Sequence, residues 1–376
     1  MSYALAPPLE LVDLTCVRYR GRVLAYFGGC DYFRMSRHPA VLEALRTGLD
    51  RYGLNVAASR LTTGNHRLYG QLEERLASFF GTEAAVVVSS GYVTNLVVAQ
   101  ALAGRFTHVL IDEFAHRSLV DAAAAFLCTV KPFPHRDVAA VGAWLRRAGA
   151  EAKPVLLTDG MFSHDGRLAP LDGFLQALPP RAAMLVDEAH AAGTLGKTGR
   201  GTLEELGVRD RRVIRTITLS KAFGVYGGAV LGSRQVIQSI HARSSLFAGN
   251  TPLPLPLMCA ALKSLEIVAK DDALRERLRR NAAQVKTALR QIGWPVVESP
   301  APIISCAPQR RADRERLKRK LLAAGIYPSF IRYPGGPGRG YFRFALSSEH
   351  TTEQLDQLCA VLREFGRETG LCAPDI

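Results

Sequence analysis

The sequence predicts an α/β fold: a mainly parallel sheet flanked by helices, with a smaller α+β domain toward the carboxyl end. Two observations carry this. From residue 84 onward, short apolar runs at 84–88, 109–111, 155–158, 182–186, 213–218 and 229–232 read as buried strands. Helical stretches such as 93–103, 119–126 and 138–148 lie between them, and this alternation builds parallel sheets with helices on both faces. After residue 255 the pattern changes. Two long helices, 255–268 and 271–292, lead into a strand–helix–strand–helix series at 303–306, 311–324, 341–346 and 352–365. A glycine-rich loop at 335–340 punctuates that series. The expected domains are a segment 1–45 packing with the small domain, a large ligand-binding domain 46–255, and a connecting helix with the small domain at 256–376.

Bulk properties narrow the function classes. A chain of 376 residues with 48% hydrophobic content can bury a substantial core. It has neither an apolar run long enough for a bilayer nor a basic-then-apolar start, so neither a membrane partner nor a leader is expected. The seven cysteines are scattered, odd in number and free of CxxC spacing. That argues for a reducing, cytoplasmic setting and against a disulfide framework or a zinc site; no metal site is expected. The formal charge is +14, densest along 310–320. Leu317, Leu321 and Leu322 give that stretch an apolar stripe and acidic residues interrupt it, so it reads as a solvated helix face. An anionic partner such as coenzyme A or an acidic acyl carrier protein is the alternative. No helix-turn-helix appendage supports nucleic acid binding.

In an open parallel sheet, ligands collect at the carboxyl ends of the strands, and four groups fall there. Ser89-Ser90-Gly91-Tyr92 follows the first strand and opens a helix, where successive N–H groups suit a phosphate or simply form a cap. His116 follows the next strand; it reads as a group over a flat ring or as a structural histidine. Asp187-Glu188-Ala189-His190 follows the strand at 182–186, with a helix cap plus surface charge as the plain alternative. Lys221 stands in Thr218-Leu219-Ser220-Lys221-Ala222-Phe223-Gly224. A lysine there can form a Schiff base with an aldehyde, and a carboxylate at Asp187 can hold a pyridinium nitrogen protonated. Together they are what a protein supplies for pyridoxal phosphate (PLP) chemistry. His190 and Ser163 are candidates for the ring's phenolate oxygen, and Thr218 for the phosphate. Gly193-Thr194-Leu195-Gly196-Lys197-Thr198 ends like a phosphate loop, but Ala191 stands where that pattern requires glycine, and no helical segment is expected after Thr198.

These residues, in this order, resemble the α-oxoamine synthase family of fold-type-I PLP enzymes. The motifs are Ser59-Arg60-Leu61, Gly64-Asn65-His66, Ser89-Ser90-Gly91-Tyr92, Phe162-Ser163-His164-Asp165-Gly166, Asp187-Glu188-Ala189-His190 and Thr218–Gly224, and the likeness runs from about Gly21 to Phe365. The resemblance implies that Lys221 is the Schiff-base lysine and Asp187 the pyridinium partner. It implies His116 stacked on the ring, Ser163 and His190 around its O3 oxygen, and Ser90, Gly91, Tyr92 and Thr218 around the phosphate. Thr251 would contribute to the phosphate site from a partner subunit, in a homodimer with the active site at the interface. Arg343 would clamp the substrate carboxylate. The chain departs from the family at four places. Cys30 stands where an asparagine commonly touches substrate, Ala57-Ala58 replaces a glycine pair, Tyr69 replaces a histidine, and 247–252 lacks the usual Ser/Thr-rich character.

The implied activity is decarboxylative condensation of an amino acid with an acyl thioester, of coenzyme A or a carrier protein, to an α-amino ketone. Lys221, His116 and Asp187 would be its catalytic residues. Two other readings stand beside it: a class I/II aminotransferase, motivated by Cys30, and a non-catalytic PLP-binding protein.

Overall fold

The computed structural model describes residues 5–332 and 339–370, and the chain divides into two units. The smaller unit comprises the N-terminal stretch to Arg34, residues 164–166 and the chain from Glu276 onward. The larger unit comprises Met35–Ser163 and Arg167–Arg275. In chain order the strands are β1 (Glu10–Leu11), β2 (Cys16–Tyr19), β3 (Arg22–Ala25), β4 (Ala84–Val88), β5 (His108–Asp112), β6 (Thr129–Phe133), β7 (Pro154–Asp159), β8 (Ala183–Asp187), β9 (Val213–Thr218), β10 (Gly228–Gly232), β11 (Ile303–Cys306), β12 (Phe330–Ile331) and β13 (Tyr341–Ala345).

In the larger unit seven strands form one sheet in the order β4-β10-β9-β8-β7-β5-β6. β10 runs antiparallel to both neighbours, and the other pairs are parallel. Alternate side chains enter two cores, one on each face. Val109, Ile111, Val155, Leu157 and Leu185 join Val97, Leu119 and Phe126, whereas Leu110, Leu156, Met184 and Val186 join Phe174 and Val141. Burial on both faces explains why these strands read as continuous apolar runs. β6 is the exception and was not foreseen. Its Thr-Val-Lys-Pro-Phe is mostly exposed, and Lys131 and Pro132 are tolerated because it is the sheet's edge.

A buried ion pair ties the sheet to the following loop. Glu188, fully buried, accepts the N–H groups of Thr202 (2.9 Å) and Leu203 (3.2 Å) and lies 3.5 Å from Arg215. The Arg215 guanidinium also lies 5.0 Å over the Phe80 ring. Glu188 is thus not the surface charge that the plain reading of its motif expected. The loop resembling a phosphate loop is filled by the protein's own carboxylates: Thr198 N–H and hydroxyl and Arg200 N–H donate to Glu204, and Gly196 N–H to Glu205. The N–H groups that a phosphate loop would offer are therefore already taken. A helix does follow Thr198, but it is the single turn Thr202–Glu205.

The smaller unit holds two antiparallel sheets, β1-β2-β3 and β11-β13-β12. Phe342 and Phe344 of β13 enter a core with Leu317, Leu321, Leu358, Leu362 and Phe365 from the helices Arg311–Ala323 and Thr352–Thr369. Arg343 between them therefore faces the other side, opposite Ser305 of β11. The basic stretch behaves as a paired helix face. Lys320 meets Glu364 (2.6 Å) and Glu368 (2.8 Å), and Lys318 meets Glu315 (2.9 Å). Most of the loop expected at 335–340, and Cys372, lie outside the described residues.

His350 locks the N-terminal stretch to this core. Its Nδ1 accepts the Ser347 N–H (2.9 Å), which leaves Nε2 to donate to the Tyr26 carbonyl (3.0 Å). The ring stacks on Phe27 at 4.3 Å. Burial pulls its pKa from 6.5 down to about 3. The unfolded chain binds this proton near pH 6.5 and the native one does not. The stability that neutral His350 contributes is therefore complete above pH 6.5, and it falls by about 1.4 kcal/mol per pH unit toward pH 3. Urea midpoints followed against pH are expected to decline less steeply on the acid side in His350→Gln than in wild type. Equal slopes would remove His350 as the cause.

Candidate active site

The carboxyl ends of β4, β5, β7, β8 and β9 share one edge of the seven-stranded sheet, and the antiparallel β10 begins at that edge. Gly228 pairs with both Thr218 and Val88. Here three backbones come together only because two residues lack side chains. A Cβ on Gly91 would lie 2.6 Å from the Thr218 Cβ and 2.7 Å from its Oγ1; one on Gly228 would lie 2.8 Å from the Gly91 Cα. Gly91 also opens the helix Gly91–Ala101, whose N–H groups point at this cradle. Ser90 is its N-cap, accepting from the Val93 N–H at 3.4 Å. Ser89 receives a hydrogen bond from the Asn250 amide (2.7 Å), which places the neighbouring, exposed Thr251 beside the same turn of its own chain.

Asp187 ends β8 at 5% exposure. Its Oδ2 accepts from Asn95 Nδ2 (2.8 Å) and lies 3.5 Å from the Ser118 hydroxyl, while Oδ1 accepts the Ala189 N–H (2.9 Å). The Thr216 hydroxyl donates to the Asn95 carbonyl oxygen (2.8 Å), so the amide must turn its NH₂ toward the carboxylate. Asp159 ends the adjacent strand and accepts the His116 N–H (2.8 Å). Burial, reinforced by the charge of Asp187, pushes the Asp159 carboxyl well above the usual range.

His116 caps the helix Arg117–Ala125, with Nδ1 at 2.8 Å from the Ser118 hydroxyl. Burial lowers its pKa; Asp187 opposes this and Lys221 adds to it. The ring is therefore neutral at neutral pH, edge-on to Tyr92 at 6.1 Å, and the Tyr92 hydroxyl binds Asp121. Lys221 follows β9 in a turn closed by the Gly224 N–H to the Lys221 carbonyl (2.9 Å). Gly224 has φ +61°, and any side chain there would collide with the backbone of Met35 and Ser36. His190 is buried just past Asp187, its carbonyl accepting from the Thr194 hydroxyl (3.0 Å). Ser163 is half-buried at the end of a segment of the same unit.

Ser90, Gly91, Tyr92, His116, Ser163, Asp187, His190, Thr218, Lys221 and Thr251 thus all belong to the larger unit. Cys30 and Arg343 belong to the smaller one, where a guanidinium nitrogen of Arg343 lies 3.8 Å from the Cys30 sulfur. Asn95, Ser118, Asp159 and Thr216 were not singled out from sequence. Asn95 carried a signal: a buried amide in a largely apolar helix, one turn after Gly91. Asp159 carried the same strand-end signal as Asp187.

This edge fits PLP. The glycine cradle takes a phosphate, the buried carboxylate of Asp187 takes a ring nitrogen, and Lys221 offers an amine. The pattern of the aminotransferase class I and II family matches residues 28–362. The chain belongs to that family and, within it, to the α-oxoamine synthases: it is a fold-type-I, PLP-dependent acyltransferase. It is 36% identical to the 8-amino-7-oxononanoate synthase of Thioalkalivibrio sulfidiphilus, over 94% of this chain and 90% of that one. It is 37% identical to the enzyme of the same name from Methylococcus capsulatus, over 89% of this chain and 87% of that one. Among solved structures, Sphingomonas wittichii serine palmitoyltransferase superposes with a TM-score of 0.89 at 29% identity, covering 96% of this chain and 92% of that one. Francisella tularensis 8-amino-7-oxononanoate synthase gives 0.80 at 25% identity, covering 92% and 98%.

Proposed function

We propose that this protein joins alanine to a pimeloyl thioester, releasing carbon dioxide and the thiol, to give 8-amino-7-oxononanoate. The product named by the relatives has nine carbons, with an amino group at carbon 8 and a ketone at carbon 7. Carbons 8 and 9 are then the α- and β-carbons of alanine, and carbons 1 to 7 come from the acyl group. The observation that carries the reading is the single sheet edge holding Lys221, the Asp187–Asn95–Thr216 relay and the Gly91–Thr218–Gly228 cradle.

Bound PLP supplies an aldehyde that links to an amine and a ring that draws electrons from the adjacent carbon. The residues then divide the remaining work. The N–H groups at Gly91 and Tyr92 and the Thr218 hydroxyl hold the phosphate, with Ser90 fixing the helix end and Thr251 assisting. Asp187 keeps a proton on the ring nitrogen, and Asn95 keeps Asp187 pointed at it. Ser163 and His190 bind the ring's O3 oxygen. Lys221 would move a proton at the substrate α-carbon, and neutral His116 would donate one as the new carbon–carbon bond forms. Arg343 takes the alanine carboxylate and Cys30 lies beside that group. The family likeness also carries a homodimer with the active site at its interface, and a cytoplasmic setting.

The test is stoichiometric. With PLP, alanine and pimeloyl-CoA or its carrier-protein equivalent, free thiol, carbon dioxide and the amino ketone are expected in equal amounts. Keto acid formation that depends on an amino acceptor, without thiol release, would replace this reading with transamination.

A further inference from the structure

The sheet edge opposite Lys221 holds a second cleft, of about 580 Å³, entirely within the larger unit. Its walls are the residues that precede β4 (Phe80–Glu83), precede β9 (207–211), end β10 (Gly232) and follow it (Ser233), together with the turn at Arg200. β9 has six residues, so its length of about 17 Å separates this cleft from the catalytic edge.

Four arginines line it: Arg200, Arg209, Arg211 and Arg215. Of these four, among the described residues, only Arg215 lies within ion-pair distance of a carboxylate, that of Glu188. Each of the cleft's own acids already accepts hydrogen bonds from the protein. Glu83 accepts the Arg234 N–H (3.2 Å), Glu204 holds the turn at Thr198 and Arg200, and Asp210 is gripped by the Arg212 guanidinium (2.7 Å). The Nε atoms of Arg200 and Arg215 are buried without any hydrogen-bond partner, and Arg215 is only 4% exposed. Burial lowers the pKa of Arg215; the charges of Glu188 and Glu204 oppose this, and the nearby charge of Arg200 adds to it. Buried donors left without acceptors are disfavoured, and guanidinium forks match phosphate oxygens. The cleft has the size of a site for a small organic ligand.

We propose that this cleft is an anion site distinct from the catalytic one and that it binds a diphosphate group, free or carried by a nucleotide. The exposed Arg209 and Arg211 neutralise the outer charge, and the Nε–H groups of Arg200 and Arg215 donate to the inner oxygens.

The test is calorimetric titration of the PLP-loaded protein, whose catalytic phosphate cradle is already filled, at about 0.15 M ionic strength. Inorganic pyrophosphate and ADP are the probes. Saturable binding in the millimolar range or tighter is expected, weakened at least about tenfold in Arg209→Gln/Arg211→Gln. Both residues are exposed, so the variant should fold, and Arg146→Gln/Arg147→Gln on a distant helix serves as the charge-matched control. Equal affinity for both probes assigns the site to the diphosphate alone, and tighter ADP binding assigns it to a nucleotide. No saturation, or equal weakening in both variants, would overturn the proposal. Thiol release with alanine and the thioester is measured separately, so failure here does not touch the catalytic reading.

Discussion

Lys221→Ala is expected to lose the visible absorption band that PLP gives the wild-type protein and to lower turnover by at least about 10³-fold. Two losses combine. The amine that links to the aldehyde is gone, and so is the group that moves the proton at the α-carbon, which alone contributes about 10²–10⁴-fold. The fold should survive. Lys221 is half-buried in a turn whose geometry is set by Gly224 and by the backbone bond from Gly224 to the lysine carbonyl, and alanine keeps both. Phosphate binding at the glycine cradle should also persist, because Gly91, Thr218 and Gly228 are untouched. The measurement is an absorption spectrum and single-turnover thiol release on protein with a wild-type melting temperature. A surviving band, or activity within about tenfold of wild type, would move the Schiff-base role to another amine.

The sequence was most readable where one residue type has one physical reason. Strands buried on both faces appear as short apolar runs, and β7 and β9 are buried along their whole length. β6 escaped because an edge strand need not be apolar. The chemical groups at strand ends were readable for the same local reason, since Asp187 ends a strand and His116 and Lys221 each lie in the short turn after one. The Asp187 relay was not readable. Asn95 and Thr216 lie on a helix and a strand far apart in the chain, and nothing local says that an amide and a hydroxyl will meet. Three departures from the family pattern acquire physical content only in the structure. Ala57 has φ +51°, a left-handed conformation that a glycine would occupy without strain, so this chain tolerates about 1–2 kcal/mol there. Tyr69 serves the fold: buried, it donates to the Leu253 carbonyl (2.6 Å) beneath the Arg60 guanidinium, which itself pairs with Glu73. Burial pushes its hydroxyl up to about 12, so it stays protonated as a donor. Cys30 sits against Arg343 rather than in a core.

Asp187→Asn is expected to separate catalysis from stability, because it removes a charge and almost no volume. The Ala189 N–H and the Asn95 amide donate to different oxygens of Asp187, so asparagine, with one carbonyl oxygen, keeps the Asn95 amide and the relay from Thr216 while its NH₂ faces the Ala189 N–H. It loses the negative charge that holds a proton on a ring nitrogen, and turnover should fall about 10²–10⁴-fold while the cofactor's visible band remains. Stability should stay near level, the lost hydrogen bond from Ala189 being set against a relieved repulsion. Asp159, buried on the neighbouring strand, is pushed up by burial first and by the Asp187 charge second. Removing that charge relieves a like-charge contact in a place where water cannot screen it. The Asp159 carboxyl should then titrate lower than in wild type, which infrared difference spectroscopy of the carboxyl stretch can follow. Asn95→Ala should produce a milder version of the same loss, in turnover more than in KM, since it leaves the charge but frees its orientation. If Asp187→Asn turned over within about tenfold of wild type, Asp187 would be a structural acceptor for Asn95 and Ala189, and the ring nitrogen's proton would have to be held by something else.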